Sequence, residues 1–353
     1  MTISDRTSPT VPEASTSPSA GDGTGEPVPT KMSAKRKKQL GALAVALVIL
    51  ALLFAWYLMN RKPLSELPGL SQDKVPHYEF SIYGTSKPVG VAVSPAGDRI
   101  YVTEENAPNL VHVYDKAGKQ VGTLAPPSTT GHTHAPTYVA INPTNQDVYV
   151  SDNSTNKIYI YNSKGTYLRT FAPKGNVGAW HPLGVAFGPD GSLYATDIQG
   201  SGKAHRVVAF SPEGTLLRSM GAPGLSFPNG ISLDQHGNID VADSNNGRLL
   251  IFNPAGKIIG LVGSGVGSGD LGLPRGVAVD LAGRLYVVDS SDHMVRIYNN
   301  ASSTAATPTF IASFGTEGQT DATFEYPNGV ATDTRAHIYV TDQGNNRVQV
   351  WGY

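Results

Sequence analysis

Three observations predict an all-β, six-bladed β-propeller, closed by an N-terminal strand and preceded by one transmembrane helix. First, a unit that opens on proline recurs six times, at Pro88, Pro136, Pro182, Pro228, Pro274 and Pro327, with spacings of 48, 46, 46, 46 and 53 residues. A period of that size marks a repeat architecture and has to be recognised before any other reading. Second, each unit carries a succession of short apolar-alternating runs separated by turn residues, the pattern of four hairpin-linked strands. Third, the last unit ends at Trp351-Gly352-Tyr353 with three runs, and the missing fourth lies upstream of the first unit at Tyr78–Tyr83.

The N-terminal residues, up to 76, differ in composition from the repeats that follow. Residues 1–38 begin with a Ser-, Thr-, Pro- and Gly-rich stretch almost empty of large apolar side chains. Such a stretch buries too little surface to offset its ordering entropy and reads as a disordered tail. Lys31, Lys35, Arg36, Lys37 and Lys38 close it. Residues 39–60 follow as the transmembrane segment, in which Leu40–Met59 runs without one charge. A helix of that length crosses a hydrocarbon core of roughly 30 Å. The run exceeds a signal-peptide core and no small-x-small cleavage site follows it, so it reads as an uncleaved signal anchor. The basic cluster before it places the tail in the cytoplasm and the rest of the chain outside the cytoplasmic membrane. Residues 61–76, RKPLSELPGLSQDKVP, carry three prolines and form a stalk.

Residues 77–353 hold the six units. Each opens with Pro-x-Gly or a near form: PVGVAV, PTYVAI, PLGVAF, PNGISL, PRGVAV and PNGVAT. Proline suits the start of a strand, where no ladder N–H is lost. A turn rich in Gly, Asp and Asn leads to the second run, IYVTE, VYVSD, LYATD, IDVAD, LYVVD and IYVTD. The third run ends on an aromatic residue at Tyr114, Tyr161, Phe210, Phe252, Tyr298 or Trp351. The fourth follows a Gly-bearing turn.

These motifs, Pro-x-Gly, an apolar run, Tyr-Val-x-Asp and Asn-x-Arg-Val, resemble the NHL repeat. They are most complete in Pro228–Phe252 and Pro327–Trp351. The resemblance extends over all six units and implies a bacterial-type propeller protein that meets its ligands on the top face and at the channel mouth. It implies no particular activity, because one fold hosts many.

Composition narrows the function classes. A net charge of −1 gives no basic footprint for nucleic acid, and no nucleic-acid partner is expected. The chain has no cysteine, which excludes disulfides, thiolate metal sites and cysteine nucleophiles. Phosphate-cradling loops, nucleophile elbows and HExxH motifs are also missing from it.

Three residue sets remain. The acidic residue ending each second run, Glu104, Asp152, Asp197, Asp243, Asp289 or Asp342, occurs in every unit and reads as loop-capping scaffold. The residue after each opening proline varies instead: Val89, Thr137, Leu183, Asn229, Arg275 and Asn328. An Arg flanked by two amides suits a carboxylate or another anion. Asn229, Arg275, Asn328 and Thr137 are therefore the candidate ligand-binding residues, with Trp180 beside them on the expected top face. The third set is His132, His134 and His181, which could hold zinc or copper. No cofactor is expected, and no catalytic residue is assigned.

Function follows as an expectation: a membrane-anchored extracytoplasmic binding or scaffold module for a peptide, protein or cell-envelope ligand. The alternative is a metal-dependent hydrolase or lyase with zinc or calcium in the channel. Peptidylglycine amidating lyases resemble this fold and place histidines after some of the opening prolines, where this chain has none. Lactonase-type propellers use Glu, Asn and Asp around calcium, and here only Asn229 and Asn328 occupy such positions.

Overall fold

The computed structural model describes residues 75–353, apart from 107–108, 129–132, 200–203, 222–223, 264–266 and 300–306, together with residues 35, 38, 41, 43 and 45–50. The chain divides into two compact units, Met1–Gln72 and Asp73–Tyr353. In the first, the described residues are helical, and no helix among them is long and apolar enough to cross a membrane. Most of the expected span Leu40–Met59, of the tail 1–38 and of the stalk 61–76 lies outside the described residues.

In the second unit the chain starts with β1 (His77–Tyr83), which belongs to the last blade. Blade 1 is β2 (Pro88–Val93), β3 (Ile100–Glu104), β4 (Val111–Tyr114) and β5 (Gln120–Leu124). Blade 2 is β6 (Pro136–Ile141), β7 (Val148–Asp152), β8 (Lys157–Tyr161) and β9 (Tyr167–Thr170). Blade 3 is β10 (Pro182–Phe187), β11 (Leu193–Asp197), β12 (Arg206–Phe210) and β13 (Leu216–Met220). Blade 4 is β14 (Pro228–Leu233), β15 (Ile239–Asp243), β16 (Arg248–Phe252) and β17 (Ile258–Val262). Blade 5 is β18 (Pro274–Val279), β19 (Arg284–Asp289), β20 (Met294–Asn299) and β21 (Thr309–Phe314). Blade 6 is β22 (Pro327–Thr332), β23 (Ile338–Asp342) and β24 (Arg347–Gly352), completed by β1 in the order β1-β24-β23-β22.

The closure read from the sequence is thus the closure observed: β1 pairs antiparallel with β24 from His77↔Gly352 to Tyr83↔Arg347. It joins the two ends of the propeller and removes the unpaired edge that β24 would present. The six sheets share no single core. Six apolar clusters each lie at a blade–blade joint; one, for example, combines Tyr149 and Ile160 of blade 2 with Leu193 and Phe210 of blade 3. The second and third strands, rich in Val, Ile and Tyr, are buried on both faces, which is why they read as near-continuous apolar runs.

The inner strands crowd around the channel, and this explains the glycine of Pro-x-Gly. A Cβ added at Gly184 would lie 2.1 Å from the carbonyl oxygen of Asn229, and one at Gly276 would lie 2.5 Å from that of Asn328. Five of the six inner strands therefore let the carbonyl of their neighbour's x residue pass where a side chain would sit; the exception is blade 2, with Tyr138. In all six blades the pairing register shifts by one between the proline and the residue three further on. The x and Gly residues sit in that bulge, out of the ladder, a device that re-aims a side chain.

Candidate functional site

The six x residues line one cavity. Val89, Thr137, Leu183, Asn229, Arg275 and Asn328, one from each blade, enclose about 310 Å³ at the mouth of the channel. Glu105, Asn153 and Gln343, from loops after the second strands, and Ala135 and Phe227, from segments that join blades, complete the wall. Both kinds of loop therefore share one face, as the sequence implied. Thr137, Arg275 and Asn328 are half-buried, whereas Val89, Leu183 and Asn229 are buried.

Burial of Asn229 has a specific cause. In four blades a hydroxyl on the second strand bridges to the next blade. Thr103, Ser151, Thr196 and Thr341 accept a backbone N–H from their own inner strand. They donate to the carbonyls of Thr137, Leu183, Asn229 and Val89 at 2.7, 2.6, 3.0 and 2.8 Å. Blades 4 and 5 carry Ala242 and Val288 at that position and cannot do this. In blade 4 the side chain of Asn229 supplies a substitute. Its Nδ2 donates to Ser244 Oγ at 2.6 Å, and Ser244 Oγ donates in turn to the carbonyl of Pro274 in blade 5. Asn229 Nδ2 also donates to the carbonyl of Phe227 at 3.2 Å. Asn229 lines the cavity, but its amide hydrogens are committed to the joint between blades.

Arg275 is the opposite case. Arg206, Arg248, Arg284, Arg296, Arg335 and Arg347 each pair with an aspartate. Among the described residues Arg275 has no ion pair or hydrogen bond, and its guanidinium lines the cavity. The only carboxylate among the described lining residues is Glu105, which is exposed and accepts a hydrogen bond from Gln343 Nε2 at 3.0 Å.

One residue of the site was missed in the sequence. Tyr138 stands where the other five units have the glycine of Pro-x-Gly, so the signal was present as the departure PTY among PVG, PLG, PNG, PRG and PNG. Tyr138 lines the mouth cavity and also a second space of about 50 Å³ deeper in the channel, walled by Val91, Val139, Val185, Ile231, Val277 and Val330. It therefore separates the two. Its hydroxyl reaches past blade 1 and donates to Asn328 Oδ1 at 3.3 Å. Burial pushes the Tyr138 phenol far above its ordinary value, and the nearby Arg275 charge offsets only part of that rise.

The remaining candidates fall elsewhere. Trp180 packs against Phe171 and Phe210, with ring centroids 6.0 and 5.6 Å away, in the apolar joint between blades 2 and 3. It is not among the residues lining the mouth. His134 Nδ1 lies 2.6 Å from Asp152 Oδ2, and its ring meets Tyr159 edge-on. His181 donates its backbone N–H to Asp197 Oδ1 at 2.7 Å. His132 lies outside the described residues. Among the described residues no three His, Cys, Asp or Glu side chains come together as a metal site.

The acidic ring is scaffold. All six carboxylates are buried and five accept a backbone N–H from the segment before their own blade: Ser86 to Glu104, Ala135 to Asp152, His181 to Asp197, Ser226 to Asp243, and Glu325 to Asp342. Asp289 takes two, from Gly272 and Leu273. The basic neighbour is Arg206, Arg248, Arg296 or Arg347 in four blades, and a histidine, His112 or His134, in the other two. Asp240, in the slot that holds Tyr in the other second strands, is fully buried and belongs to the interior of blade 4.

Comparison with known proteins agrees with the fold. The NHL repeat matches residues 225–252 and 324–351, the two units whose motifs are most complete. No curated protein matches the sequence. A streptogramin B lyase is similar in structure, with 16% identity over 80% of this chain and 99% of that one, at a TM-score of 0.55. The hydrazine synthase of Kuenenia stuttgartiensis is similar at 17% identity over 74% and 82%, also with a TM-score of 0.55. A catalytically inactive histidine-to-alanine variant of virginiamycin B lyase from Staphylococcus aureus, with quinupristin, shares 19% identity over 78% and 85%, at a TM-score of 0.54. At such identities the likeness is one of fold.

Proposed function

We propose that the propeller is a binding module that takes an anionic group of a peptide, protein or cell-envelope ligand at the channel mouth. The observation that carries this reading is Arg275: a half-buried guanidinium in a concave site, with no anionic partner among the described residues. A half-buried guanidinium with no anionic partner keeps donors free, and a ligand carboxylate offers it two charge-assisted hydrogen bonds. We further propose that Leu40–Met59 anchors the chain, with the propeller outside the cytoplasmic membrane. Twenty uncharged residues behind a basic cluster support that, as do Leu43, Val45, Leu47, Val48, Ile49 and Leu50, all more than half exposed on their helix. Calorimetric titration of the purified chain with a carboxylate probe tests the binding proposal. Arg275→Ala is expected to abolish the heat of binding, and an unchanged isotherm would refute the role given to Arg275.

A second reading is a metal-dependent hydrolase or lyase using the same channel, favoured by the likeness in fold to the streptogramin B lyase. Its candidate ligands are His132, His134 and His181, of which His134 and His181 are not among the residues that line the mouth, so the metal would sit on the loops before blades 2 and 3. Elemental analysis separates the two readings: stoichiometric zinc or calcium that is lost in His132→Ala supports the enzyme. Metal-free protein that still binds the carboxylate probe supports the binding module.

A further inference from the structure

We infer that the mouth is a blind cup that receives its ligand end-on: a terminal carboxylate attached to an apolar group, as at the C-terminus of a peptide. This deepens the anion-binding reading and rests on it.

The floor is the first argument. Five inner strands keep glycine where the channel is narrowest, and the sixth places the Tyr138 ring there, anchored on Asn328 of blade 6. What remains below is about 50 Å³, against about 310 Å³ above. The upper space is about six times the lower, in scale with a leucine residue and its carboxylate, and the Tyr138 ring with its bond to Asn328 stands between the two. A segment internal to a polymer would have to enter and leave by the same opening.

The division of the wall is the second argument. Two donors stand on adjacent blades, the Arg275 guanidinium of blade 5 and the Asn328 Nδ2 of blade 6, whose Oδ1 already accepts from Tyr138. The exposed amide of Asn153, on a blade 2 loop, lines the opposite part of the rim. Asn229 contributes no donor, because its amide hydrogens are spent on Phe227 and Ser244. Val89 and Leu183, on blades 1 and 3, present apolar surface to the same space. One cation and one amide match the planar fork of a carboxylate, a geometry that arginine recognises bidentately. A phosphate dianion would bring a second negative charge into a space that Glu105 also lines.

Four probes test this on the full chain by calorimetric titration: N-acetyl-L-leucine, its C-terminal amide, N-acetyl-Gly-Gly-Leu with a free carboxyl group, and N-acetyl-Glu-Gly-amide, whose carboxylate is internal. The two terminal acids are expected to bind at least tenfold more tightly than the amide and the internal acid, and Arg275→Ala is expected to remove that difference. If the tripeptide binds and the single residue does not, or the reverse, the source of the carboxylate is a peptide end or a small free acid respectively, and the cup stands. Two variants are compared after a check of folding by circular dichroism: Tyr138→Gly, which puts there the residue of the other five blades, and the milder Tyr138→Phe, which keeps the buried ring and removes only the bond to Asn328. The first is expected to lose the preference for terminal over internal carboxylates and the second to keep it. Equal affinity for acid and amide, with both weakened by Arg275→Ala, would overturn the terminal-carboxylate inference and leave mouth binding intact. No binding of any probe at millimolar concentration, in wild type and Arg275→Ala alike, would overturn both.

Discussion

Arg275 and Asn229 occupy equivalent positions in neighbouring blades, and the structure gives them different work. Among the described residues the Arg275 side chain makes no ion pair or hydrogen bond, so Arg275→Ala should leave stability within about 0.5 kcal/mol, measured by denaturant unfolding. Asn229 is 3% exposed and bridges blade 4 to blade 5 through Ser244. Asn229→Ala should therefore cost about 1–2 kcal/mol by the same measurement, because Ser244 loses a buried donor. The x position was legible in the sequence as a repeated site that varies where the acidic ring does not. The role of Asn229 was not, since its partner Ser244 lies in a loop and the missing hydroxyl is visible only once Ala242 is aligned in space with Thr103, Ser151, Thr196 and Thr341. Tyr138 could have been read as a departure from glycine, but its reach to Asn328 spans 190 residues.

At the scale of elements, the joints between blades recur with variations. Lys87, Phe227 and Tyr326 precede the opening prolines of blades 1, 4 and 6 with φ of 49°, 53° and 48°, a left-handed conformation that side chains adopt at some cost. Each donates its backbone N–H to a side chain at the start of the preceding blade's third strand: Asn346 Oδ1 at 2.8 Å, His205 Nδ1 at 2.7 Å and His293 Nδ1 at 3.1 Å. A histidine in this role accepts through Nδ1, which leaves Nε2 as the ring's donor. His293 is itself left-handed, with φ of 54°, as is Asn346. Asparagine tolerates that conformation better than most residues. His293→Ala should lower stability by about 1 kcal/mol, while His293→Asn should restore it, since Asn346 performs the same task at the joint of blades 6 and 1. Equal losses in both variants would mean that the ring packing on Tyr326, at 4.7 Å between centroids, is what matters. The strands themselves were legible from alternation and turn residues. These clasps were not, because they join residues 22, 33 and 259 apart in the chain.

For the whole molecule, the repeat made architecture legible down to the strand that closes it, and left function to the places where the repeat departs from itself. The ring is built on tyrosines of the second strands, buried at Tyr101, Tyr149, Tyr286 and Tyr339 and partly buried at Tyr194, and burial raises each phenol above its ordinary 10.0. The folded state thus keeps protons that the unfolded chain releases above about pH 10. The stability these groups lend is complete below that pH and is lost as pH rises towards their folded values. The denaturant midpoint should be level from pH 7 to 9 and fall steeply by pH 11, with tyrosinate absorbance appearing as the chain unfolds rather than before. Carboxylate capture at the mouth is tested by mapping a probe through backbone amide shifts of the labelled chain. On N-acetyl-L-leucine addition, shifts are expected to gather at residues 89, 137, 138, 183, 275 and 328, and to be lost in Arg275→Ala. Shifts confined to the outer strands or to the loop of His134 and Asp152, with the mouth unmoved, would contradict it.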